Sequence, residues 1–169
     1  MGGNGMKVIM DSDSLIKLTK AKAKETVLKN IEVHIPPKVF EEVVKIPKEE
    51  GYPDAFLIEE NLKRGLLAIG KSGEDQHVEE MITGLGIGYG GADVFRLYKS
   101  GSFDIISSDD RRFLKIIDAL DVPYITPSAL IVYLLDKNIL SRADAKMYIN
   151  NLKEMISEEE YYLEIREAE

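Results

Sequence analysis

The residues best able to do chemistry in this chain are acids, and they fall at four points. Asp11 and Asp13 follow the apolar run Val8-Ile9-Met10; Glu42 lies in PPKVFEEVV; Asp93 ends the glycine-rich stretch GLGIGYGGAD; Asp109 and Asp110 lie in SSDDRRF. An isolated ionised carboxylate taken out of water either binds a proton or finds a partner. Two carboxylates ~6 Å apart repel by roughly 3 kcal/mol at an effective dielectric near 20. Three or four together would oppose folding by an amount comparable to a domain's whole stability of about 5–15 kcal/mol. A divalent cation reverses that sign. With no cysteine and only two histidines, His34 and His77, any metal here is held by oxygen, which favours magnesium or manganese over zinc.

Each acid also has an ordinary structural reading. Asp11 or Asp13 can cap the helix that follows. Asp109 and Asp110 can be surface turn residues, Asp93 a first-turn partner of a helix dipole, and Glu42 a solvated helix residue. Convergence at one sheet edge is what separates the two readings, so the elements that position these acids decide between them.

Short β-like runs alternate with helical patterns. Strands are predicted over 7–10, 31–35, 66–69, 103–106 and 122–125. Helices are predicted over 14–24, 38–45, 54–63 with Asp54 as cap, 74–83, 92–99, 111–120 with Ser108 as cap, 126–135, and from Ser141 past Leu152. Strands separated by helices imply βαβ units: one domain of the α/β class, three layers (α/β/α) around a central parallel sheet of about five strands. Ligands of such sheets sit beyond the carboxyl ends of the strands, at the topological switch point. The acids named above lie at those ends or on the helical turns just after them.

From Met6 to about Leu152 the chain resembles a PIN-domain nuclease. The likeness rests on the strand ending in Asp11-Ser12-Asp13-Ser14-Leu15-Ile16, on PPKVFEEVV with Glu42, on Gly90-Gly91-Ala92-Asp93, and on Ser108-Asp109-Asp110-Arg111-Arg112-Phe113. Gly91 stands where the family usually has a glutamate. The stretch LDVPYITPSALIVYLL is similar to a VapC-like archaeal and bacterial subgroup with a C-terminal helical extension. The resemblance implies metal-dependent hydrolysis of RNA phosphodiesters with magnesium or manganese. Asp11, Asp93 and Asp110 would be metal ligands, with Glu42 and Asp109 ligating directly or through water. Asp11, Glu42, Asp93 and Asp110 would form the catalytic set. Ser12, Asp13, Ser108, Arg111 and Arg112 would support it, Ser108 by orienting a carboxylate and the arginines by contacting phosphate. A VapC-type toxin role, an antitoxin protein partner and a homodimer belong to the same expectation.

Three other readings compete. Gly86-Ile87-Gly88-Tyr89-Gly90-Gly91 matches the dinucleotide fingerprint GxGxxG, but that fingerprint needs a strand immediately before it, and HVEEMITG is helical in pattern. Asp11-Ser12-Asp13 resembles the nucleophile motif of haloacid dehalogenase-like phosphatases, in which Asp11 would attack covalently; Glu42 and Asp93 then have no role, and Ser14 stands where that family has glycine. A PIN-like fold that binds RNA or protein without cutting is the third.

The formal net charge of −8 argues against a nucleic-acid partner until it is mapped. From Glu154 to Glu169 seven glutamates face Arg166 alone, a net of −6, leaving −2 for the rest. The segment 153–169 is thus expected as an acidic helical tail, either a solvated face or a device that repels or mimics nucleic acid. Residues 1–5, MGGNG, read as a flexible leader without the features of a signal peptide. No apolar run approaches the ~20 residues that span a bilayer, so no membrane partner and a cytoplasmic location are expected.

Overall fold

Alternation along the first strand sets the architecture. In β1 (Lys7–Met10), Val8 and Met10 enter one hydrophobic core and Ile9 the other, and all three are fully buried. A strand apolar on both faces must be central and covered twice. The computed structural model describes residues 5–169, so most of the expected leader, residues 1–4, lies outside the described residues.

The sheet is wholly parallel, with strand order β3-β2-β1-β4-β5. The flanking strands are β2 (Glu32–Ile35), β3 (Leu67–Ile69), β4 (Ile105–Ser107) and β5 (Tyr124–Ile125). On one face pack α1 (Ser12–Lys20), α2 (Lys24–Asn30), α5 (Pro53–Lys63), α9 (Pro127–Asp136) and α10 (Arg142–Asn151), around Leu15, Val27, Ile58, Leu130 and Ile149. On the other lie α6 (Gln76–Leu85), α7 (Tyr89–Ser100) and α8 (Arg111–Ala119), around Ile82, Phe95, Phe113 and Ile117. The three-layer α/β/α fold follows. Because the order reverses between β1 and β4, the switch point lies where those two strands end.

Several elements differ from expectation for local reasons. The helix predicted over 14–24 is broken: Lys22 adopts φ +68°, and Ala21 and Ala23 on either side are buried, so packing holds a turn that propensity alone would not form. Lys24 then opens α2, buried and bonded to Asn61 of α5 and, at 3.2 Å, to Glu25. Asp54 does not cap α5; Pro53 is its first residue, and Asp54 pairs with Lys20 at 3.3 Å. The cap of α8 is Asp110, not Ser108.

After β2, α3 (Pro37–Phe40) widens into a π-helical turn (Glu41–Lys45) and continues as α4 (Ile46–Glu49). The Ile46 N–H bonds back five residues to the Glu41 carbonyl. Pro47 has no N–H to give, and in a regular α-helix its ring would strike the carbonyl of Val43. The wider turn accommodates both facts and carries Glu42.

The acidic C-terminal segment forms α11 (Glu158–Glu167), capped by Ser157. It packs on the α9 side: the Ser128 hydroxyl donates to Glu160 at 2.5 Å, Arg142 donates to the Glu169 carbonyl, and Glu164 and Ala168 are buried. Among the described residues no helix is long and apolar enough to cross a membrane.

Candidate active site

At the carboxyl edge of the sheet lies an open cleft of about 380 Å³, and the acids from four separate stretches of sequence meet there. Asp11 comes from the end of β1, Asp13 from the first turn of α1, Glu42 from the π turn, Asp93 from α7 and Asp110 from the residue that caps α8. Ser12, Lys38, Gly90, Gly91 and Phe113 complete its walls.

Asp11 is the most constrained of the set. One carboxylate oxygen caps α1 by accepting from the Ser14 N–H at 2.9 Å; the other accepts from the Ser108 hydroxyl at 2.5 Å. The helix-cap reading of Asp11 is therefore true, and it uses only one oxygen. Although a sliver of Asp11 reaches solvent, protein crowds its carboxyl, and this desolvation pushes its pKa up; the hydrogen bonds from Ser108 and Ser14 pull the other way, and the charge of Asp13 adds to the rise. Ser108 is fully buried, and its Oγ also accepts from the Asp110 N–H at 3.2 Å. One hydroxyl thus ties the Asp11 carboxylate to the backbone at Asp110, at the ends of two neighbouring strands.

The remaining acids are held by partners. Ser12 donates to Glu42 at 2.5 Å. Arg96 donates to Asp93 at 2.7 Å and grips Glu79 with two further bonds of 2.7 Å. Asp110 Oδ1 accepts from the Phe113 N–H at 3.1 Å. Asp109, expected among the metal donors, does not line the cleft: it pairs with Lys17, which also contacts Asp13 at 3.1 Å. Burial lowers the Lys17 pKa, but Asp109 and Asp13 outweigh it and hold the ammonium above its ordinary value. Arg111 and Arg112 are exposed, with no carboxylate within 4.0 Å among the described residues.

The donor set is all oxygen, hard and negatively charged, which fits magnesium or manganese chemically. Two buried hydroxyls, those of Ser14 and Ser107, have no hydrogen-bond partner among the described residues. The carboxylates share the cleft but are not drawn into a ligand set: among the described residues no three acidic or histidine side chains stand close enough together to hold a metal ion. Glu42 is engaged by Ser12 and Asp93 by Arg96.

Gly91 has a packing explanation. A Cβ built there would lie 2.5 Å from the Phe113 ring, so the aromatic side chain occupies the space a carboxylate-bearing residue would need. The GxGxxG stretch follows helix α6 rather than a strand. Lys17 and Arg96 escaped the sequence reading, although each sits at helical spacing from an acid it binds, four residues from Asp13 and three from Asp93. Lys38 left no such signal. A second cleft of similar size, between the π turn and α5, holds Lys48 and Glu59 paired at 2.7 Å, with Lys45 and Glu49 also in its wall.

A parallel sheet of this order, with acids collected at its switch point, is the arrangement of a nuclease-type α/β domain. A family model described as a PIN domain, DUF3368, matches residues 7–168, and the chain belongs to the PIN-domain family. Members of that family are generally nucleases and usually use divalent metal ions. No individual curated protein matched the chain.

Proposed function

We propose that this protein is a metal-dependent endoribonuclease. The observation that carries the reading is the meeting of Asp11, after β1, with Asp110, after β4, in one cleft that Glu42 and Asp93 also line. Asp11, Glu42, Asp93 and Asp110 would hold magnesium or manganese. What such an ion supplies when bound is positive charge against a phosphodiester under attack. The chain's own residues do the rest. Ser108 fixes one carboxylate oxygen of Asp11 and the backbone of Asp110, Ser12 steadies Glu42, and Lys17 holds Asp13 and Asp109 by ion pairing. Arg111 and Arg112 are available to phosphate groups flanking the bond that is cut.

The test is RNA cleavage with manganese, with EDTA, and by an Asp11→Asn variant. Asn also caps helices well, so the variant should fold and lose activity. Cleavage that survives both chelation and substitution would overturn the mechanism. The finer form of the reading is a cytoplasmic VapC-type toxin, homodimeric and bound by an antitoxin protein, with residues 153–169 as an appended helical tail. Growth arrest on expression, relieved by a neighbouring gene's product, would test it.

A second reading draws on the engagement of Glu42 by Ser12 and Asp93 by Arg96: a PIN domain that binds RNA without cutting. Manganese titration separates the two. At ~100 times its dissociation constant the ion should add about 2.7 kcal/mol to stability; no change in melting temperature favours the non-cutting form.

A further inference from the structure

Tyr89 stands at the lip of the acidic cleft, beside Gly90 in its wall, and is 87% exposed. No other large hydrophobic side chain among the described residues is as exposed. Its flanks are open, since a Cβ at Gly88 or Gly90 would meet no atom within 4 Å. The Lys38 ammonium lies 4.8 Å from the centre of the ring, and among the described residues Lys38 is the one cation lining the cleft. It makes no ion pair among the described residues, although five carboxylates share that cleft with it. Three residues before Tyr89, the Arg112 guanidinium lies against Gly86, 3.7 Å from where a Cβ would stand. A lysine and an aromatic ring therefore stand together beside a cleft lined by acids.

We propose that Tyr89 and Lys38 form a clamp for one unpaired nucleotide of RNA, the base stacking on the Tyr89 ring and the adjoining phosphate meeting Lys38. Aromatic stacking accepts any base because every base has a π face, and a neighbouring cation tracks the backbone. In duplex RNA the bases are stacked on one another and unavailable to the ring, so the clamp selects single strands or loops. This inference rests on the nuclease reading for its substrate class, and it supplies what the acidic floor lacks: a cationic and stacking hold that keeps the strand in place.

The test uses a fluorescein-labelled, mixed-sequence single-stranded RNA of about 20 nucleotides and its duplex with the complementary strand. Binding is followed by anisotropy in manganese, with Asp11→Asn as the parent so that nothing is cut. Adding Tyr89→Ala should raise Kd about tenfold, while Tyr89→Phe, which keeps the ring, should bind as the parent does. Adding Lys38→Met should weaken binding and reduce the slope of log affinity against log salt by about one. The duplex should bind more weakly than the single strand. In the otherwise unaltered chain, Tyr89→Ala should raise KM by the same factor and leave kcat little changed.

Equal binding by Tyr89→Ala and its parent would overturn the clamp even if the protein cleaves RNA, and so would a parent that binds no RNA. An oligomeric state altered by Tyr89→Ala without a change in RNA affinity would make the ring a protein contact and overturn it as well. If the unaltered chain cuts nothing but the parent's binding still depends on Tyr89, the nuclease reading falls and the clamp stands as a binding site.

Discussion

The Ser108 hydroxyl donates to Asp11 at 2.5 Å and so joins the carboxyl ends of β4 and β1 across the switch point of the sheet. The same oxygen accepts from the Asp110 backbone at 3.2 Å. A single buried atom thereby holds the Asp11 carboxylate and the backbone that carries Asp110.

Ser108→Ala should therefore injure the site more than the fold. Loss of the donor leaves a crowded carboxylate oxygen unsatisfied, at about 1–3 kcal/mol. Residues that orient ligating carboxylates typically contribute 10–100-fold to activity, so manganese-dependent cleavage should fall by about that factor. Urea unfolding in EDTA measures the first effect and initial rates of RNA cleavage the second. A variant that is destabilised yet fully active would remove Ser108 from the site.

Lys17 offers a different balance. It sits between Asp13 and Asp109, and its pairing with Asp109 is nearly enclosed, the two side chains being 14% and 11% exposed. Breaking one side of a buried pair strands a charge, so Lys17→Met should destabilise the protein by about 3 kcal/mol. Lys17→Met combined with Asp109→Asn should recover most of that loss, because the stranded charge is gone. A double-mutant cycle by chemical denaturation reads the coupling directly. Strong manganese dependence of the cycle would instead return Asp109 to the metal site.

These two pairs show which features a linear sequence carries. The strands, the parallel sheet and the gathering of Asp11, Glu42, Asp93 and Asp110 at one edge were legible because apolar periodicity and position relative to strand ends are local properties. The direction in which each acid turns was not. Asp109 and Asp110 are neighbours in the chain, yet one faces Lys17 and the other caps α8 and lines the cleft. Likewise the left-handed turn at Lys22 is set by the burial of Ala21 and Ala23, in a stretch whose residues all favour helix. The π turn had a trace in Pro47, but its placement beneath Glu42 depends on the packing of the helix that holds both.

Gly90 and Gly91 are adjacent in α7 and should respond in opposite senses. Alanine at Gly90 enters open space and should add up to about 1 kcal/mol by helix propensity. Alanine at Gly91 meets the buried Phe113 ring at 2.5 Å, and overpacking of this kind costs about 1–3 kcal/mol. Urea midpoints should therefore move up for Gly90→Ala and down for Gly91→Ala. Trimming the ring with Phe113→Leu should make Gly91→Ala less harmful than it is alone.

The C-terminal helix carries a pH dependence of its own. Glu164 is 8% exposed, and burial, with the negative charges of Glu160 and Glu167 beside it, raises its pKa from 4.5 to about 7. Between those two values the folded protein keeps a proton that the unfolded chain has released. The stabilising contribution is thus fully present below about pH 4.5, declines as pH rises, and is gone above about pH 7, a change of about 3 kcal/mol. Glu164→Gln removes the titration. It should match the parent near pH 4.5 and exceed it in stability by about 2–3 kcal/mol at pH 8. Paired urea titrations at the two pH values test this, since groups that titrate in both proteins cancel in the difference. A stability gap that is the same at both pH values would show that Glu164 ionises as an ordinary surface glutamate.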